Sequence, residues 1–128
     1  MNQRTTWILA IILGGLAVGL GAFGAHALET MLEARERTDT WDLAVHYQMF
    51  HALAMLFTGT MIPEYGKWFR IAAVLLFTGI LCFSGSLYVL CLSEMVFPLV
   101  LITPLGGVLL MAGWGAMLTG LLSHKKQA

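Results

Sequence analysis

Four long apolar stretches, separated by short polar ones, set the pattern of the chain. Trp7 to Leu28 carries no charge, and neither does Leu43 to Ile62, Ile71 to Leu92 or Met95 to Ser123. A helix rises about 1.5 Å per residue, so roughly 20 apolar residues cross a hydrocarbon core of about 30 Å. The pattern therefore predicts an all-α integral membrane bundle of four transmembrane helices, a single domain over 1–128, with spans of about 7–28, 42–62, 71–92 and 96–122.

The polar stretches predict how those helices begin and end. Residues 29–41, with Glu29, Glu33, Arg35, Glu36, Arg37 and Asp39, form the longest polar connection, expected to be a short helical turn at the lipid surface. Asp39 or Thr40 is placed to cap the second span, because a side-chain oxygen there accepts the unpaired N–H groups of the first turn. Trp41 is expected at the membrane–water boundary, where indole rings concentrate. Pro63 lacks a backbone N–H and is expected to end the second span. Thr103-Pro104 is expected to interrupt the fourth.

Composition agrees with the pattern. Hydrophobic residues make up 59% of the chain and charged ones 11%, with a mean hydropathy of +0.81, far from the charge content of soluble domains. Formal net charge is zero, and no basic stripe exists for phosphate backbones, which excludes nucleic acid as a partner. The charges are nevertheless sorted. With four crossings, Arg4, Lys67, Arg70, Lys125 and Lys126 share one side, whereas Arg35 and Arg37 stand alone on the other among every acidic residue but Glu64. Lys/Arg excess marks the cytoplasmic side, so both termini are expected inside the bacterial cytoplasmic (inner) membrane. The Trp7–Leu28 run exceeds the 7–15 apolar residues typical of a signal peptide, despite the Ala25-His26-Ala27 cleavage-like triplet. Cys82 and Cys91 lie too far apart along one helix for a disulfide and are expected to be inert thiols.

Depth estimates then gather the polar side chains. Counted from the outer boundary at the helical rise, His26, His46, Tyr47, Gln48, His51, Ser84, Ser86, Tyr88 and Thr103 fall within roughly the first 12 Å, above an inner half that is almost wholly apolar. On the second span, Ala44, Gln48, His51, Met55 and Thr58 share one face, which should point inward. Polar groups within a span mark a ligand or ion site, or else tie helices together by hydrogen bonds. Both readings stand at this point. Metal ligation has little support, since no HxxxH or ExxH spacing occurs, so no metal or cofactor is expected. Gly15, Gly19, Gly21, Gly24, Gly85, Gly106, Gly107 and Gly113, together with Pro104, are expected to shape close helix contacts, as small residues do in membranes.

The sequences Gly21-Ala22-Phe23-Gly24-Ala25-His26, Tyr47-Gln48 with His51-Ala52-Leu53, Phe83-Ser84-Gly85-Ser86-Leu87-Tyr88, and Thr103-Pro104-Leu105-Gly106-Gly107 with Gly113-Trp114 resemble one family. It is the domain of unknown function 423 family, small four-pass membrane proteins. The resemblance covers essentially the whole chain and implies the same four-pass fold. It brings no established activity and no catalytic residues.

The expected function is accordingly non-enzymatic: a scaffold, accessory or lipid- and small-molecule-binding protein with a polar pocket in the outer leaflet. Membrane lipid is the expected partner, with a homo-oligomer or a larger membrane protein as further ones. Two alternatives stay open. One is an oligomeric transporter or channel subunit, favoured by Pro104 but lacking an acidic residue inside a span. The other is a haem or metal redox protein using His26, His46 or His51.

Overall fold

A computed structural model describes residues 1–124; Lys125 and Lys126, counted in the charge asymmetry, lie outside the described residues. The described chain is helical, in the order α1 (Gln3–Ala25), α2 (Glu29–Ala34), α3 (Thr38–Tyr65), α4 (Lys67–Leu92) and α5 (Leu99–Ser123). Among the described residues, α1, α4 and α5 are long and apolar enough to cross a membrane. The 28-residue α3 is just as long but more polar, carrying Asp39, Asp42, His46, Gln48, His51 and Glu64.

Several boundaries differ from the sequence expectation, each for a local reason. Asn2 caps α1, its side chain accepting from the Thr5 N–H at 2.8 Å. No side chain caps α3, which begins at Thr38, so Asp39 sits inside the first turn and neither it nor Thr40 is the cap. Pro63 does not stop α3. It lies in the last turn, so the bond it forfeits, to the Gly59 carbonyl, is lost only where the helix is about to end. The stop is Gly66, whose φ of +58° places it in the left-handed region that glycine enters without penalty. Its N–H closes on the Ile62 carbonyl at 2.9 Å, and α4 starts at the next residue, so the expected loop shrinks to Gly66 alone. Pro104 likewise leaves α5 continuous, lying one turn beyond its start. The short helical turn expected between the first two apolar stretches is present as α2.

The long helices succeed one another in space as in sequence. α1 packs along α3, α3 along α4 and α4 along α5, while α1 with α4, and α3 with α5, meet only lightly. The α4–α5 contact is an antiparallel zipper in which glycine on one helix receives bulk from the other: Gly79 faces Leu110, Gly106 faces Phe83, Gly113 faces Leu76 and Gly120 faces Phe69. At Gly106 the backbones themselves meet, for a Cβ there would lie 2.7 Å from the Phe83 Cα. Gly24 and Gly21 perform the same service between α1 and α3, against Trp41 and Val45. Gly15, Gly19 and Gly85 do not. A Cβ at any of them would meet nothing within 4 Å, so the Gly15–Gly19 spacing makes no packing contact inside this chain.

The main core runs through all four long helices and includes Ala10, Ala52, Met55, Phe69, Leu76, Ile80, Leu110 and Met117. A second, smaller cluster of Leu32, Trp41 and Cys91 sits beneath α2. Trp41 is thus turned into the protein and not outward. It is 1% exposed, fitted into the slot Gly24 leaves, with its Nε1–H donating to the Leu20 carbonyl at 2.8 Å.

Candidate functional site

The predicted inward face of α3 is the face that is buried: Ala44, Gln48, His51, Met55 and Thr58 are all inside. A buried polar side chain in an apolar interior must find partners, and Gln48 finds them on two helices. Its Nε2 donates to the Leu13 carbonyl of α1 at 2.8 Å, and its Oε1 accepts from the Tyr88 hydroxyl of α4 at 2.8 Å. Tyr88 in turn packs edge-on against Trp41, with ring centroids 4.8 Å apart. Ser84 donates to the Ala44 carbonyl at 2.7 Å, a second tie from α4 to α3.

Between α4 and α5 the hydroxyls of Ser86 and Thr103 stand 2.6 Å apart. Ser86 also reaches the Phe83 carbonyl and Thr103 the Leu99 carbonyl. With two protons for three contacts, one hydroxyl donates to the other, which in turn donates to its own backbone carbonyl. These five side chains form a satisfied girdle, and among the described residues no buried side-chain nitrogen or oxygen is left without a partner.

The remaining predicted residues lie elsewhere. His26 follows the end of α1, exposed, beside a shallow apolar depression with Ala22, Phe23 and Ala27. His46 is exposed on α3 and lies over Phe50, with ring centroids 6.4 Å apart. Among the described residues no three His, Cys, Asp or Glu side chains gather as metal ligands would. Cys82 and Cys91 are both free thiols.

His51 is different. It is 9% exposed, and its Nδ1 sits 2.7 Å from the Tyr47 carbonyl. A carbonyl only accepts, so Nδ1 carries a proton, and the tautomer of the uncharged imidazole that fits this bond has its lone pair at Nε2. No described residue bonds that nitrogen. The ring borders a groove of about 640 Å³ between α3 and α5, where the two helices diverge and α4 forms the floor. Its walls are Tyr47, Phe50, Phe83, Pro104, Met111 and Trp114. Tyr47 stacks on Phe83 at 4.5 Å between centroids and on His51 at 5.7 Å, while Trp114 meets His51 edge-on at 6.2 Å.

The groove is a largely apolar, aromatic-walled slot bordered by the His51 imidazole, and its volume is within the range of small-molecule sites. Phe50 and Met111 carry no sequence signal of their own, and Phe83 and Trp114 stand in the family motifs but not among the candidate site residues. A helical register could have found part of this wall, since Pro104, Gly107, Met111 and Trp114 recur at three- and four-residue steps on one face of α5. A second groove of about 500 Å³ lies near Gly66, far from the girdle, and apart from Lys67 and Arg70 its lining side chains are aliphatic or Met1.

Comparison with known proteins places this architecture. A family model described as "Protein of unknown function (DUF423)" matches residues 20–107. A UPF0382 membrane protein of Staphylococcus haemolyticus is 44% identical over 110 residues, 83% of this chain and 88% of the relative. One from Schizosaccharomyces pombe is 40% identical over 121 residues, 89% of this chain and 98% of the relative. The UPF0382 inner membrane protein YgdD of Escherichia coli is 40% identical over 129 residues, 99% of this chain and 96% of the relative. No solved structure matches the chain. The family match takes in Gln48, Tyr88 and Ser84 of the girdle and His51 with Tyr47, Phe83 and Pro104 of the groove, and the chain belongs to the DUF423 family of membrane proteins of unknown function.

Proposed function

We propose that this is a four-pass, non-enzymatic binding protein of the inner membrane, whose ligand, a lipid or small apolar molecule, occupies the α3–α5 groove against His51. One observation carries the reading: on the border of a groove of about 640 Å³ stands an imidazole whose Nε2 no described residue bonds, in a layer where the neighbouring buried polar groups are satisfied. A lone pair turned toward lipid is worth keeping only if something donates to it. The uninterrupted α5 and the apolar inner half speak for binding over conduction.

The four-crossing reading rests on α3. Gly66 alone joins it to α4, so α3 must run back alongside a helix apolar enough to span, and its polar groups Gln48 and His51 are turned inward. The charge asymmetry then favours both termini inside.

The test is a lipid and metabolite extraction. Protein purified in native-membrane nanodiscs should retain a compound, identified by mass spectrometry, that is depleted in His51→Ala and in Gly107→Leu, which fills the groove. Identical extracts from all three would refute the binding site. Labelling of single cysteines at positions 33 and 64, in a background lacking Cys82 and Cys91, should modify the first from outside and the second from inside.

A further inference from the structure

We infer that the groove recognises a phenolic ring hydroxyl, as carried by a hydroquinone head or an alkylphenol, with the hydroxyl donating to Nε2 of His51. The inference rests on the groove being a ligand site and adds the chemistry of what fills it.

The argument starts from the tautomer. Because the Tyr47 carbonyl accepts from Nδ1 at 2.7 Å, the uncharged imidazole holds its one proton there and offers Nε2 as an acceptor. Ligands whose head offers carbonyl or ether oxygens and no proton, such as an ester lipid or an oxidised quinone, would set lone pair against lone pair. A hydroxyl or N–H is required. The walls then choose its carrier. The rings of Tyr47, Phe50, Phe83 and Trp114 line the slot, with Trp114 edge-on to the imidazole, so a flat aromatic guest packs there against ring surface. A ring hydroxyl is also a stronger donor than an aliphatic one, because the aromatic system takes up charge from its oxygen. The groove supplies no ammonium or guanidinium and no carboxylate, so a charged headgroup gains nothing there. Pro104, Val108, Leu110 and Met111 leave the remainder apolar, suited to an alkyl tail.

The experiment uses two probes that differ only in the proton, 4-nonylphenol and its O-methyl ether, titrated by calorimetry into the full chain in nanodiscs. A neutral hydrogen bond of ordinary strength corresponds to about a five- to tenfold difference in Kd. The wild type should bind the phenol that much more tightly than the ether, and His51→Phe, which keeps a ring in place, should bring the ratio to about one. Equal binding of both probes by the wild type would overturn the hydroxyl reading while leaving the groove a ligand site. Binding of neither, or binding that Gly107→Leu leaves unchanged, would overturn the groove reading and this inference together. A tailless probe, 4-ethylphenol, separates two sources of the same chemistry. If it retains the preference over its own methyl ether with comparable Kd, a phenolic solute is indicated; a large loss of affinity with the ratio intact indicates a tailed membrane hydroquinone.

Discussion

Replacing Gln48 with leucine tests the girdle at its centre. The side chain is 3% exposed and makes two interhelical hydrogen bonds, to Leu13 and from Tyr88. Leucine nearly matches its volume, so the change in free energy is chiefly polar. Interhelical hydrogen bonds in membrane proteins average about 0.6 kcal/mol, which gives about 1.2 kcal/mol for the pair. The Tyr88 hydroxyl is then left facing an aliphatic neighbour, adding about 1–3 kcal/mol for an orphaned polar group. The Leu13 carbonyl adds little, since it keeps its place in the α1 helical ladder. The expected loss is therefore about 2–4 kcal/mol, read from reversible unfolding in mixed detergent micelles. Tyr88→Phe removes one bond and its orphan together, so the double variant should be less destabilised than the sum, with a coupling of about 1–2 kcal/mol. Strict additivity, or a Gln48→Leu variant as stable as the parent, would refute the claim that this network holds α1, α3 and α4 together.

Three further outcomes follow from packing. Gly106→Ala places a methyl 2.7 Å from the Phe83 Cα, so α4 and α5 must part; the same unfolding assay should show a loss of about 1–3 kcal/mol or more. Gly15→Ala and Gly19→Ala meet nothing within 4 Å and should be neutral or gain up to about 1 kcal/mol through helix propensity, an outcome that a loss of stability would contradict. Trp41→Phe removes the bond to the Leu20 carbonyl and leaves part of the Gly24 slot empty. It should cost about 1–3 kcal/mol and shift the emission of the remaining tryptophans little, since the lost indole is the buried one.

The helices were legible because long charge-free runs admit few other readings, and the buried face of α3 was legible because the helical period fixes which side chains share a side. What sequence position does not encode is which neighbour a side chain meets. Pro63 and Pro104 read as breaks, yet each sits within about two turns of a helix end, where the one bond it forfeits leaves the long remainder of the helix intact. Trp41 reads as an interfacial anchor until Gly24, 17 positions earlier, is known to lie under it. The nine polar candidates looked like one pocket. The structure divides them into a satisfied girdle, two exposed histidines, and a Tyr47–His51 pair on an open groove, a division set by pairing across helices that spacing along one helix cannot show. The groove's far wall, Trp114, lies more than sixty residues from His51 and became visible only when α4 brought α5 beside α3.

Gly66 carries a consequence for how the chain is made. Of the long helices, α3 is the poorest candidate to leave an aqueous channel for lipid unaided, because its carboxylates and imidazoles oppose the transfer. A single residue couples it to strongly apolar α4, so on the four-pass reading the two leave the insertion machinery as a closed helical hairpin, already hydrogen-bonded through Ser84 and Tyr88. Lengthening that one-residue link should therefore stall biogenesis at the third helix before it harms the finished protein.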